Sequence, residues 1–295
     1  MKLYFYRGSE PNFGDELNSW LLPKVFPGLF DDDARQLFLG IGSVIFDSHP
    51  ADALKVVFGS GYGAYTALPR LDATWKFYGV RGPRTAQACG LPADSIVGDS
   101  AILIHRLRSA QPRKTIRCAF IPHWESIARG NWQAACAQAG IHFLDPRQPV
   151  DAVLAQIEAS EMVVTEAMHG AIVADALRVP WVAIEPFHPS HLFKWHDWAG
   201  ALDLPLRQQR LFPSSVREAK VALTQGQRGM LHRAVASRRL PAALSDKACL
   251  GMAAASLWRA SRQSPMLSGD AALSRALQRL EEAAARIRRD FAGGG

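Results

Sequence analysis

Met162-Val-Val-Thr-Glu-Ala-Met-His-Gly-Ala-Ile-Val-Ala-Asp-Ala-Leu-Arg-Val-Pro180 is the stretch from which the fold of this chain is read. Met162 to Thr165 is a short apolar run of strand type, and Ile172, Val173, Ala176 and Leu177 recur at helical spacing. Arg178-Val-Pro180 ends the helix, because proline lacks an amide hydrogen and clashes with the preceding turn. Trp181-Val-Ala-Ile-Glu185 then reads as the next strand. Strand, polar turn, helix, strand is the unit that places ligands at strand carboxyl ends. The turn carries Glu166, His169 and Gly170, where the amides and dipole of a helix N-terminus favour an anion. A histidine in this position can serve as a cap alone. A glutamate three residues earlier at the same strand end makes the pair a site candidate.

The same alternation runs toward the N-terminus. Lys2 to Tyr6 alternates as a strand, Arg7 to Asp15 is a polar loop, and Glu16-Leu-Asn-Ser-Trp begins a helix capped from Asn12 or Asp15. Asp15 thus stands at a strand-to-helix junction, where it is either a cap or a working carboxylate. Leu37–Ile45 and Val56–Gly63 read as apolar strands ending in glycine, and Gly59-Ser-Gly61 leaves backbone amides open to an anion. Neither the dinucleotide fingerprint nor a Walker loop fits these glycines, which excludes a nicotinamide enzyme and a P-loop ATPase. Trp75–Val80 is a further strand. Arg81 and Arg84 follow it, flanking Pro83 at a helix start, as a clamp for a carboxylate or phosphate. Ile96-Val-Gly-Asp-Ser-Ala101 repeats the strand-end pattern with Asp99.

Arg106 to Lys114 is basic and proline-containing and reads as a linker. Beyond it the alternation restarts, with strands at Thr115–Ile121 and Ile141–Leu144 and helices at Trp132–Ala139 and Val150–Ala159. Two successive sets of strands and helices predict an α/β chain of two Rossmann-like domains facing across a cleft. The expected boundaries are 1–107, 108–204 and a basic helical C-terminal extension over 205–295.

A length of 295 residues with 48% hydrophobic and 21% charged content belongs to a globular protein with ample core. The N-terminus reads as a strand rather than a signal peptide, and the isolated cysteines Cys89, Cys118, Cys136 and Cys249 suggest reduced thiols in the cytoplasm. The net charge of +7 divides into −3 over residues 1–204 and +10 over 205–295. In that tail Ser215-Val-Arg-Glu218 has capping-box form, opening a helix toward Arg239. Leu273, Leu277, Leu280, Ala284, Ile287 and Phe291 form an apolar seam among arginines. Such a helix packs on its own body, dimerises, or lies on an anionic membrane surface.

Six pieces in order resemble the polysaccharide pyruvyl transferase family. They are Asn12-Phe-Gly-Asp-Glu-Leu, Gly40-Ile-Gly-Ser, Gly59-Ser-Gly, Val80-Arg-Gly-Pro-Arg-Thr, Gly98-Asp-Ser-Ala and the stretch from Glu166 to Pro180. The resemblance, to its bacterial exopolysaccharide branch, implies a GT-B-like fold and a transferase. That enzyme moves pyruvate from phosphoenolpyruvate onto a saccharide acceptor as a cyclic ketal, on a lipid-linked substrate at the cytoplasmic face of the membrane. It implies no cofactor, no metal and no nucleic acid; a homo-oligomer stays open. Many members carry Arg-Leu-His where this chain reads Ala167-Met168-His169, so the donor lacks one guanidinium here.

That chemistry needs cations for a carboxylate and a phosphate, a proton donor for the methylene carbon, and a base for the attacking hydroxyl. The expected donor side is Arg81, Arg84, Gly170 and Lys194, with His169 holding phosphate or delivering the proton. Asp15 is the expected base, Glu166 positions a proton or hydroxyl, and Asn12, Gly14, Gly59, Ser60 and Gly61 bind the acceptor. His188, His191 and His196 with Asp197 lack metal-ligand spacing. The aromatics among them, Phe187, Phe193, Trp195 and Trp198, suggest a packed or sugar-stacking loop. A sugar-nucleotide glycosyltransferase and a non-catalytic scaffold of polysaccharide assembly are the competing readings.

Overall fold

The computed structural model describes residues 1–8, 10–107, 113–187, 191–224 and 245–291. His188, the middle of the predicted linker, and the predicted helix beyond residue 224 lie outside them. The chain is α/β with two all-parallel sheets. The first holds β1 (Lys2–Tyr4), β2 (Gln36–Leu39), β3 (Leu54–Ser60) and β4 (Trp75–Val80) in sequential order. In the second, β5 (Ala119–Ile121), β6 (His142–Phe143), β7 (Val163–Thr165), β8 (Trp181–Ile184) and β9 (Gln208–Gln209) are ordered β6-β5-β7-β8-β9. Parallel sheets covered on both faces need continuous apolar strands. Val56-Val-Phe58 and Val163-Val164 meet that need and are fully buried.

The second sheet reverses its direction of growth between β5 and β7, which opens a crevice at their carboxyl ends. The turns leaving these two strands carry His123 and the Glu166–His169 stretch. Helix α1 (Phe13–Val25) follows β1, and α2 (Pro83–Ala88) and α3 (Ile104–Leu107) follow β4. Around the second sheet lie α4 (Trp124–Arg129), α5 (Trp132–Ala139), α6 (Val150–Ala159) and α7 (Met168–Ala176).

Three local readings change. The strand predicted at Ile96 reduces to one bridge between Ile96 and Val80, because 3-10 turns at Ala93–Ser95 and Ser100–Leu103 bracket it. The stretch predicted as an aromatic loop is largely helix α8 (Leu192–Ala201). Its Trp195 and Trp198 are fully buried, with ring centroids 6.3 and 5.3 Å from Trp181, so they fill the core and offer no sugar-stacking face. In the tail, α9 (Val216–Thr224) starts at the expected cap, with Ser215 Oγ accepting from Glu218 N at 3.0 Å. The glutamate itself reaches one residue further back, accepting from Ser214 N at 2.7 Å.

The basic tail packs on the body. Helix α10 (Asp246–Ala260) packs on α5 beside the second sheet, and α11 (Asp270–Phe291) crosses to β3 and β4 of the first. Leu273, Leu277, Leu280, Ala284 and Ile287 are buried there, in a core cluster that also contains Phe58 and Ile172. Several arginines satisfy carbonyls of the body, Arg286 donating to Tyr78 O at 2.8 Å and Arg288 to Val25 O at 2.7 Å. Of the three courses open to the seam, packing on the body is the one observed, and its apolar face is core rather than a surface offered to a bilayer. No described helix is long and apolar enough to cross a membrane.

A buried ion pair ties the end of β4 to α8. Arg81 Nε lies 2.9 Å from Asp197 Oδ2, and both side chains have no exposed surface. Arg81 Nη1 donates to Ser43 Oγ at 2.8 Å and Nη2 to Tyr62 O at 3.2 Å, while Asp197 also accepts from Thr85 N and Oγ1 at 2.9 and 2.6 Å. Truncating one member of such a pair strands the other charge without water. Arg81→Ala is expected to lower the unfolding free energy by about 3–5 kcal/mol, read from urea titration. Wild-type stability in that variant would show the pair to be dispensable.

Candidate active site

The centre of the site is His169, in the first turn of α7. Its ring lies close against Gly14 at the start of α1, where any Cβ would collide with Nδ1. The N-terminal Asn12-Phe-Gly-Asp15 motif and the histidine motif therefore meet, and only glycine permits that approach. On the other side, His169 Nε2 stands 3.7 Å from Asp99 Oδ2. Asp99 is fully buried, and its second oxygen accepts from Ala101 N at 3.0 Å, capping the Ser100–Leu103 turn. Neither His169 Nε2 nor Asp99 Oδ2 has a hydrogen-bond partner among the described residues. Buried polar atoms are nearly always satisfied, so this facing pair of orphans marks a functional spot. At 3.7 Å the two are an ion pair in waiting rather than a hydrogen bond, a separation common before substrate tightens a site.

Asp15 is half-buried in the first turn of α1 and accepts from Asn12 Nδ2 at 2.7 Å. Burial pushes its pKa above the ordinary carboxylate value; the Asn12 hydrogen bond and the charges of His169 and Lys194 offset part of that rise. A carboxylate raised in this way is a better base than a solvated one. Asn18, buried one turn further on, donates to Asp15 O and Ile41 O at 3.0 Å each and accepts from Ile41 N at 2.8 Å. It thereby fixes the Gly40–Ser43 loop against the start of α1. Beside Asp15 opens a cavity of about 370 Å³ whose lining includes Tyr6, Arg7, Glu10, Asn12 and Ser19.

Lys194, on α8, is half-buried and makes no hydrogen bond or ion pair among the described residues. Its charge acts on Asp15 and on His123. His123 is buried, and burial followed by the Lys194 charge holds its pKa well below the usual imidazole value.

Other expected site residues do structural work. Arg81 spends all three guanidinium nitrogens on Asp197, Ser43 and Tyr62, so it is no donor clamp. Gly61 is required where that guanidinium passes, since a Cβ would overlap it. Ser60 is buried and donates to Leu39 O at 3.0 Å, and Gly59 packs on Ser100, which withdraws this segment from acceptor binding. Gly170 packs on Thr165, and Arg84 is exposed, 5.9 Å from the centre of the Phe193 ring. Asp197 sits with Arg81, and His196 is exposed, so these do not converge with His191.

Glu166 does not face His169 either. Its two oxygens accept from His123 N and Ser126 Oγ, each at 2.9 Å, and so hold the turn after β5. Burial, reinforced by the nearby Glu218 carboxylate, pushes its pKa up to about 7. An acid whose pKa is higher folded than unfolded stabilises the fold at low pH, and that contribution is lost as pH rises through the folded value. Between pH 5 and 7.5 the wild type should therefore lose stability, on the order of 3 kcal/mol by linkage, that Glu166→Gln does not lose. Thermal melts of both proteins across that range check it; parallel curves would place the titration elsewhere.

A family model described as Polysaccharide pyruvyl transferase matches residues 27–188. That span includes Asp99, Glu166 and His169, while Asp15 precedes it and Lys194 follows it. The chain is also 35% identical over 317 residues to the succinoglycan biosynthesis protein ExoV of Rhizobium meliloti (strain 1021), covering 99% of this chain and 100% of that protein. With a family match over more than half the chain and a similarity running end to end, the chain belongs to the polysaccharide pyruvyl transferase family.

Proposed function

We propose that this pyruvyl transferase takes its pyruvate from phosphoenolpyruvate and sets it on a sugar of an exopolysaccharide as a cyclic ketal. The observation that carries the reading is the contact between Gly14 and His169, which puts Asp15 and an Asp99-backed imidazole at one place. Asp15 enters from the first sheet's half and His169 from the second's, the disposition a GT-B-like cleft requires. The resident similarity to a succinoglycan biosynthesis protein supports an exopolysaccharide acceptor, and a lipid carrier would bring it to the membrane's cytoplasmic face.

The steps balance with these residues alone. His169 gives a proton to the methylene carbon as the first sugar hydroxyl attacks the adjacent carbon, and Asp15 takes that hydroxyl's proton. The carbon–oxygen bond to phosphate then breaks, with phosphate leaving with the electron pair. The second hydroxyl closes the ketal, and its proton leaves with phosphate. Lys194 supplies the positive charge that Ala167 does not, facing the anionic donor beside Asp15. Asp99 faces the His169 ring at 3.7 Å and orients it. Asn12 and the cavity beside Asp15 receive the acceptor.

Purified protein with phosphoenolpyruvate and an oligosaccharide acceptor should release inorganic phosphate. His169→Ala and Asp15→Asn should each lower turnover by about 10²–10³ without a fall in melting temperature. Asp99→Asn should lower turnover by about 10² without a fall in melting temperature, because the His169 ring then loses the carboxylate charge that faces it. Phosphate release unchanged in Asp15→Asn, or activity confined to a nucleotide sugar, would overturn the reading.

A further inference from the structure

A second group of ligand-bearing side chains lies outside that chemistry. His123 leaves the end of β5, Glu125 stands in the first turn of α4, and His191 caps the start of α8; one ligand atom from each lies within 4.8 Å of the others. Glu125 Oε2 is 3.8 Å from His123 Nδ1 and 3.6 Å from His191 Nε2, and the two imidazole rings are 4.6 Å apart. We propose that His123, Glu125 and His191 form a zinc site.

Two imidazoles and one carboxylate are the donor set of a three-ligand zinc centre, which leaves a fourth position open. Nitrogen and oxygen ligands about 2.0–2.1 Å from a tetrahedral zinc lie roughly 3.3–3.4 Å from one another. The two separations from Glu125 Oε2 need only a few tenths of an ångström of closure, while the ligand atoms as a set lie within 4.8 Å of one another and draw in further on binding. The lone pair zinc would take on His123 Nδ1 faces Glu125 N at 3.4 Å, a long hydrogen bond that costs little to give up.

The ligands are also tied to their surroundings, one of them from behind as metal ligands commonly are. Tyr65 Oη is hydrogen-bonded to His191 Nδ1 at 2.8 Å, which leaves Nε2 turned toward Glu125. Arg129 Nη2 sits 2.8 Å from Glu125 Oε2, the oxygen that also faces both imidazoles, so a bound ion shares that carboxylate with the guanidinium. The Glu166 carboxylate accepts from His123 N at 2.9 Å and fixes the turn. This gives Glu166 a purpose, since nothing in the transfer chemistry uses it. Lys194 and Arg129 are the charges that oppose a cation here, since both act on His123.

The test uses metal-free full-length protein titrated with zinc chloride by calorimetry and with cobalt chloride by visible absorption. One ion per chain is expected, with the cobalt spectrum showing the intense bands of tetrahedral rather than aqua cobalt. His191→Ala and Glu125→Gln should each weaken binding at least about 100-fold, and Tyr65→Phe about 10-fold, with folding checked by circular dichroism. Lys194→Met should tighten zinc binding, whereas at an anion site it would instead weaken binding of inorganic phosphate. Absence of zinc binding by the wild type, wild-type affinity in Glu125→Gln, or weaker zinc binding in Lys194→Met overturns the proposal. Should His191→Ala fail to fold, Glu125→Gln and the wild-type cobalt spectrum decide it.

Discussion

The buried pair of Arg81 and Asp197 is the constraint around which the rest is arranged. Buried ion pairs are weak sources of net stability, because desolvating two charges cancels most of their attraction. What this pair supplies is position. A planar guanidinium with Asp197, Ser43 and Tyr62 around it has one allowed orientation, and Asp197 in turn grips Thr85 at the start of α2. The strand end of one sheet is thereby locked to α8, the helix that carries Lys194 and is capped by His191. A shift of α8 by an ångström would strand a charge, so the placement of Lys194 and His191 inherits the rigidity of the pair.

The candidate centre uses the same logic at lower cost. Asp15, Asp99 and His169 come from three separate turns, and each is fixed by a local device: Asn18 against α1, the Ala101 amide on Asp99, and the first turn of α7 under His169. Contact between them is made by removing atoms, with Gly14 giving the imidazole its seat. The polar atoms left over, His169 Nε2 and Asp99 Oδ2, face one another without a partner. Such an arrangement spends stability on a site ready to exchange a proton, as working sites commonly do.

The basic tail shows how composition and structure part company. A net +10 over residues 205–295 describes a polycation, yet the last helix lays its leucines on the first sheet and gives arginine donors to the carbonyls of Tyr78, Ile96 and Val25. An arginine stem covers apolar surface while its head satisfies strand and helix ends. Much of the tail's charge therefore serves packing, and α11 closes the first sheet's core.

Periodicity in the sequence was enough to determine the α/β class, the parallel strands at Val56–Phe58 and Val163–Thr165, the helices at Trp132–Ala139 and Val150–Ala159, and the strand-end positions of Asp15 and His169. Those features are local: a strand buried on both faces must be apolar throughout, and a helix start needs its cap, whatever lies across the molecule. Only the tertiary structure decided which strand-end groups face one another. Arg81 and His169 look alike in sequence, each beside a helix N-terminus, but Asp197 lies next to the first and Asp99 next to the second. Glu166 was likewise legible as a strand-end carboxylate, and its use was not, because its partners His123 and Ser126 arrive from the neighbouring strand. Buried charges are governed by the nearest opposite charge or donor, and chain separation carries no information about which residue that will be.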